Sequence, residues 1–272
     1  MIDLLYITKN RLEFTKASFA ALAANTDWTL ISKFWVYDDG SVDDTRRCMD
    51  ELYSELHVRY GVRVHQVYTQ MGSPAAIMRE FALHSDVSPL FAKIDNDVIV
   101  PPGWLNACCD VMITHPELDL LGIEPPESRT PHYTGGRKSP HPEYDIQIQL
   151  FGPMMRGQTQ LHGYAPCDSI GGIGLMRTSI FKRFKGLMPH SIYGGFTEFQ
   201  LNNPAMKKGW VTPPLPVFLL DRLPSSAYDG HFRRLSNEYI AKGWQRAWSG
   251  YDSANPFWEW WKPEPILAEI VK

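Results

Sequence analysis

The sequence predicts an α/β fold: a mixed, mainly parallel sheet flanked by helices. Three observations lead there. Short apolar runs alternate with helical segments along residues 1–123, the order that builds a parallel sheet through helical crossovers. Acidic residues gather where those runs end, and open sheets of this kind bind ligands beyond the carboxyl ends of their strands. The 272 residues, 44% hydrophobic and 21% charged, suffice for one large core and fall outside the compositions of disordered or membrane-embedded chains.

Leu4–Thr8 reads as a buried strand, and Lys9-Asn10-Arg11 breaks it before an Ala-rich helix from about Thr15 to Ala24. Phe34–Tyr37 is a second strand and runs into Asp38-Asp39-Gly40-Ser41-Val42-Asp43-Asp44-Thr45. A helix follows, roughly Asp44 to Leu56, with acids in its first turn, where the helix dipole favours them. Val62–Val67 alternates as a third strand. Gly72-Ser73-Pro74 then opens a helix: Ser73 suits the cap, Pro74 the first position, and Ile77 and Phe81 lie one turn apart on one face.

A fourth apolar run, Phe91–Ile94, delivers Asp95 and Asp97 to a strand end, followed by Val98–Val100 and a Pro101-Pro102-Gly103 turn. Residues two apart in an extended segment point the same way, so both acids can face one ligand. Paired carboxylate oxygens suit a hard divalent cation, Mg²⁺ or Mn²⁺, which completes its shell with waters and substrate phosphates. The competing reading makes both acids caps of the following turn.

Pro102 to about Thr114 reads as a helix and Leu118–Ile123 as a further strand. Between Glu124 and Ala165 apolar periodicity fades and Pro, Gly, Arg and His become frequent. An irregular stretch of that length is usually a functional loop. Arg129, Arg137, Lys138 and Arg156, with His132, His141 and His162, suit the acceptor side of a site or a cover over it, or else a plain surface loop. Asp168–Met176 returns to strand and tight turn. Gly172-Ile173-Gly174 continues with Arg177, so no dinucleotide fingerprint forms, and no GxxxxGK[ST] phosphate loop occurs. Gly194-Gly195 permits a turn into a helix that holds Glu198 near its N-terminus, and the apolar run Pro216–Leu220 follows. The expected division is a domain over 1–220, split at 123/124, and a C-terminal helical, aromatic extension over 221–272. That extension contains His231, Arg233, Arg234, Trp244, Trp248, Trp258, Trp260 and Trp261.

A net charge of −3 supplies no global basic field for nucleic acid or anionic membrane. The first residues, Met1-Ile2-Asp3-Leu4-Leu5, lack a basic leader, and no apolar stretch reaches the length of a membrane span. Cys48, Cys108, Cys109 and Cys167 lack CxxC spacing, which fits reduced thiols in a cytoplasmic protein and no zinc site.

Three stretches in this order, Asp38-Asp39-Gly40-Ser41, Asp95-Asn96-Asp97 and Thr197-Glu198-Phe199-Gln200-Leu201, resemble the family 2 glycosyltransferases with the GT-A fold. The resemblance covers roughly Leu4 to Trp210. It implies a nucleotide-sugar-binding half over 1–123 and an acceptor-side half over 124–220. Thr8 to Asn10 would border the base, Asp39 would accept a hydrogen bond from it, most naturally from uracil, and Arg79 would face the diphosphate. Asp95 would touch the ribose or a metal-bound water, Asp97 would bind the metal, and His231 would be a third ligand. Glu198 would be the base that deprotonates the acceptor hydroxyl during inverting transfer. The sequence departs from the family's Glu-Asp pair at this point, with Thr197 in the first place and Glu for Asp in the second.

The expected activity is therefore metal-dependent, inverting transfer of a sugar from a nucleoside diphosphate, with UDP the expected nucleotide, to a hydroxyl of a glycan, glycolipid or modified nucleic-acid base. The alternatives are a nucleotidyltransferase, which would need a triphosphate loop absent near residue 10, and a carbohydrate- or nucleic-acid-binding module built on the tryptophans. Bland readings stand beside the site roles: Asp39 as a turn acid, Arg79 as a solvated charge, Glu198 as a helix-end acid and His231 as a surface residue.

Overall fold

The computed structural model describes residues 1–84, 86–123, 162–167, 169–184, 195–212, 215 and 217–219. His231, Arg129–Arg156 and the tryptophan-rich tail lie outside them.

The first half alternates as its sequence predicts: β1 (Ile2–Thr8), α1 (Leu12–Asn25), β2 (Ile31–Asp38), α2 (Thr45–Tyr60), β3 (Arg63–Tyr68), α3 (Pro74–Leu83) and β4 (Leu90–Asp95). A two-residue strand β5 (Val98–Ile99), α4 (Trp104–Thr114) and β6 (Leu120–Gly122) follow. Later come β7 (Gly163–Pro166), β8 (Gly174–Arg177), α5 (Ile180–Arg183), α6 (Gly195–Leu201), β9 (Lys208–Thr212) and β10 (Phe218–Leu219). Eight strands form one sheet in the order β3-β2-β1-β4-β8-β6-β9-β7, while β10 pairs antiparallel with β5. Strands β3, β2, β1 and β4 are parallel, β8 runs against both β4 and β6, β9 parallels β6, and β7 opposes β9.

Side-chain alternation divides the core between the two faces of the sheet. Leu4, Tyr6, Phe34, Val36, Ala92 and Ile94 join α1, α2 and α4 in one cluster. Leu5, Ile7, Trp35, Tyr37 and Phe91 join α3, α5 and α6 in the other. Strands apolar on both faces are what a parallel sheet covered by helices on both sides requires. Helix α3 starts as its sequence indicates: the Ala76 N–H donates to Ser73 Oγ at 3.3 Å, Pro74 takes the first position, and Ile77 and Phe81 are wholly buried. Strand β3 is one edge of the sheet and leaves Arg63, Gln66 and Tyr68 exposed.

Among the described residues no helix is long and apolar enough to cross a membrane.

Candidate active site

Successive crossovers carry the chain from β1 outward to β2 and β3, and then back over β1 to β4 on its other side. The carboxyl ends of β1 and β4 therefore flank the point where the winding reverses, the usual ligand crevice of such sheets. Register brings the predicted residues to that one edge, with Thr8 opposite Asp38 and Ile7 opposite Asp95.

Three turns build the crevice floor. The β1–α1 turn holds Asn10 and Arg11 at φ 52° and 67°, two consecutive non-glycine residues in the left-handed region. Such conformations persist only where surrounding contacts fix them. Here the Asn10 N–H donates to Ser41 Oγ at 2.7 Å, and Asn10 Oδ1 accepts from the Val42 N–H at 2.7 Å, which ties the turn to the loop after β2. From the other side, Asn96 Nδ2 reaches the Asn10 carbonyl at 3.1 Å, Thr8 Oγ1 at 3.2 Å and Thr15 Oγ1 at 2.9 Å. Helix α1 adds Ser18, whose hydroxyl sits 2.8 Å from the Val98 carbonyl and 3.1 Å from that of Asp95. The acid-bearing turn is thus fastened to the first strand end by buried polar groups that satisfy one another.

Asp39, only 3% exposed, accepts from the Gly72 N–H at 3.0 Å through Oδ1 and pairs through Oδ2 with Lys9 Nζ at 3.2 Å. Asp38 serves the backbone, accepting the Ser41 N–H at 2.9 Å. Each acid of the Asp95-Asn96-Asp97 turn carries a resident cation. Lys93 Nζ, 3% exposed on β4, lies 2.6 Å from Asp95 Oδ2, and Arg11 Nη1 lies 3.0 Å from Asp97 Oδ2. The Asp95 pKa is raised from the ordinary carboxylate value, first by burial and then by the neighbouring Asp97 charge, while Lys93 and Arg11 pull it back.

The other predicted residues fall as follows. Thr8 is buried with its hydroxyl turned to Thr15 and Asn96, so its side chain positions the turn. Arg79 is exposed on α3. Glu198 is the fourth residue of α6. Its neighbours hold that helix down: Phe199 is fully buried, and Gln200 accepts the Ile170 N–H at 2.8 Å while donating to the Gly171 carbonyl at 2.8 Å. Of the Thr197–Leu201 motif, Phe199 and Gln200 therefore do the packing, with Thr197 half-buried beside Glu198. His231 lies outside the described residues, and among those described no group of three or more His, Cys, Asp or Glu side chains is placed to hold a metal ion.

No protein-family model and no curated protein matches the sequence. Solved structures match over nearly the whole chain. S. aureus TarS 1–349 in complex with UDP is 12% identical with a TM-score of 0.54, over 100% of this chain and 81% of that one. The mannosyltransferase PcManGT from Pyrobaculum calidifontis, in complex with GDP-Man and Mn²⁺, is 14% identical with a TM-score of 0.55, over 98% and 68%. The chain has the GT-A fold. Glucosyl-3-phosphoglycerate synthase from Mycobacterium tuberculosis, with Mg²⁺ and UDP, shares it at 13% identity and a TM-score of 0.50, over 89% and 79%. This GT-A chain spans 47% of the length of the longer TarS structure.

Proposed function

We propose that the chain is a metal-dependent, inverting glycosyltransferase that moves a sugar from a nucleoside diphosphate, with UDP the expected nucleotide, to an acceptor hydroxyl. The observation that carries this reading is the convergence of Asp39, Asp95 and Asp97 on the switch-point edge of a GT-A sheet. Of the proteins that share the fold, TarS 1–349 is held with UDP and the mannosyltransferase PcManGT with GDP-Man and Mn²⁺.

In this reading Asp39, anchored by Gly72, accepts the base N–H, and the Asn10 turn borders the base. The donor set fits a hard cation. Asp95 and Asp97 each engage their cation through Oδ2, and Oδ1 of neither makes a hydrogen bond among the described residues. With His231 from the C-terminal extension as third ligand, such a cation would neutralise charge on the leaving diphosphate. Asn96 and Ser18 hold the acid turn to its place, so the carboxylates need little reorganisation on binding. Glu198, on a helix fixed by Phe199 and Gln200, takes the proton of the acceptor hydroxyl as its oxygen attacks the anomeric carbon from the face opposite the nucleotide. The acceptor is a hydroxyl of a glycan, glycolipid or modified nucleic-acid base, and cytoplasmic residence goes with it.

The test is a thermal-shift panel of UDP, GDP, CDP and dTDP, each with and without Mn²⁺, on wild type and Asp97→Ala. Stabilisation by one nucleotide only with metal, lost in Asp97→Ala, is expected. No shift with any nucleotide would defeat the donor site as drawn. Glu198→Gln is expected to bind the nucleotide as wild type does and to lose about 10²–10⁴-fold in transfer; transfer at the wild-type rate would move the base elsewhere.

A further inference from the structure

Two basic side chains leave the turn after β1 in opposite directions. Arg11 crosses to Asp97 beyond β4, whereas Lys9 leans the other way, to Asp39 just past the end of β2, with Nζ 3.2 Å from Oδ2. The Lys9–Asp39 pair is lopsided: the lysine side chain is 52% exposed and the carboxylate 4%. Asp39 is the base-facing acid of the donor site proposed above, and its two oxygens are differently committed. Oδ1 takes the Gly72 N–H at 3.0 Å, which fixes the plane of the carboxylate. Oδ2 faces Lys9 alone among the described residues and has lone-pair capacity for a further donor. Lys9 Nζ in turn has Asp39 as its one hydrogen-bond partner among the described residues, so two of its three N–H groups are open to a ligand.

An acceptor and a donor 3.2 Å apart can read two neighbouring atoms on one edge of a base. The carboxylate oxygen accepts an N–H, and the ammonium beside it donates to a carbonyl oxygen. Uracil presents that combination, with its ring N3–H flanked by the O2 and O4 carbonyls. Both protein groups are ionised, and hydrogen bonds to ionised groups are roughly twice as strong as neutral ones. In the donor-site reading the diphosphate belongs with Asp97 on the β4 side of β1, while Lys9 turns to the β2 side. We propose that Lys9 reads the base together with Asp39. As Asp39 Oδ2 accepts the uracil ring N–H, the Lys9 ammonium donates to a carbonyl oxygen next to it. The inference rests on the donor-site reading above and adds to it a residue that sets specificity for the base.

Calorimetry at saturating Mn²⁺ tests it on the full chain, wild type and Lys9→Met, with UDP, 2-thio-UDP and 4-thio-UDP. Each analogue replaces one carbonyl oxygen by sulfur, a weak acceptor. Wild type is expected to bind one of the two analogues about tenfold more weakly than UDP. Lys9→Met is expected to bind UDP about tenfold more weakly than wild type does, and to bind that analogue as well as it binds UDP. Any effect of sulfur on the ring N–H is common to both proteins and cancels in the comparison. A lysine that reached the diphosphate, or that only balanced the Asp39 charge, would weaken all three ligands in Lys9→Met by one factor. That result, or an unchanged affinity for UDP, overturns the base-reading role and leaves the donor site standing. Equal binding of UDP and both analogues by wild type overturns it without any variant. Failure of wild type to bind UDP with Mn²⁺ overturns the donor site and this inference together.

Discussion

Lys93 and Asp95 stand two residues apart on β4, and the lysine ammonium lies 2.6 Å from the Asp95 carboxylate while itself only 3% exposed. The pair belongs to the face of the sheet covered by α3, α5 and α6, next to Gly172, where an added Cβ would come 3.4 Å from Lys93 Nζ. A lysine so deep in a strand needs its partner. Lys93→Met is expected to cost about 1–3 kcal/mol of stability, since it leaves Asp95 a partly buried charge without its counter-ion. The double variant Lys93→Met/Asp95→Asn should recover part of that loss. Chemical denaturation of the three chains checks it: a double variant no more stable than Lys93→Met would mean that the pair is not the source.

Asn96 lies between the two acids, but its amide faces inward. Its Nδ2 joins Thr8, Asn10 and Thr15, so it fixes the turn that presents Asp95 and Asp97. Asn96→Ala removes these bonds and leaves the Thr8 and Thr15 hydroxyls to each other and the Asn10 carbonyl to Thr15 Oγ1 alone, at an expected cost of about 1–3 kcal/mol. Asn96→Asp, nearly the same shape, is expected to cost more, because a carboxylate would then face the Asn10 carbonyl. Thermal melts of both variants decide it, and an Asp variant as stable as wild type would contradict the inward-donor role.

Gly174 pairs across β8 with Lys93 on one side and Gly122 on the other, at φ 145°. A Cβ there would come within 2.0 Å of the Leu121 carbonyl oxygen, a backbone atom that cannot step aside. Gly174→Ala is expected to destabilise by about 3 kcal/mol or more, seen as a lowered Tm. Wild-type stability would show that β8 is not seated between β4 and β6 in this register.

The parallel half of the fold was legible because each element carried its own signal: apolar runs of strand length, the Ser73-Pro74 helix start, acids where runs end. Strands β7 and β9 were not. Gly163-Tyr164-Ala165-Pro166 and Lys208-Gly209-Trp210 show no period of two, and they are strands because they pair with each other and with β6. Helix α5, a single turn, is too short to leave a periodicity. In the site, strand-end positions exposed Asp39 and Asp95, whereas the long-range pairings were hidden. Arg11 and Asp97 are 86 residues apart in sequence and Thr8 and Asn96 are 88 apart, so only folding brings them together. One signal was available: Lys93 interrupts an otherwise apolar strand and so calls for a buried counter-charge. Gln200 within the Thr197–Leu201 motif gave none, since its core hydrogen bonds go to a turn formed by Ile170 and Gly171.

Away from the crevice, His65 on the edge strand stacks on Trp35 with ring centroids 4.2 Å apart, and its Nε2 is buried without a hydrogen-bond partner. Burial lowers its pKa below the ordinary histidine value, and the Arg63 and Lys33 charges add to that, against smaller opposing contributions from Asp86 and Asp3. The folded protein therefore holds His65 neutral where the unfolded chain, titrating near pH ~6.5, already binds a proton. Stability from this group is present above that value and is lost as pH falls toward the lowered folded pKa; below it the slope ends. His65→Phe keeps an aromatic ring on Trp35 and removes the titration. Denaturation from about pH 7.5 down to about pH 5.5 should give wild type a steeper loss of stability than His65→Phe, with the histidines common to both chains cancelling. Parallel slopes would mean that His65 is protonated in the folded chain as readily as in the unfolded one.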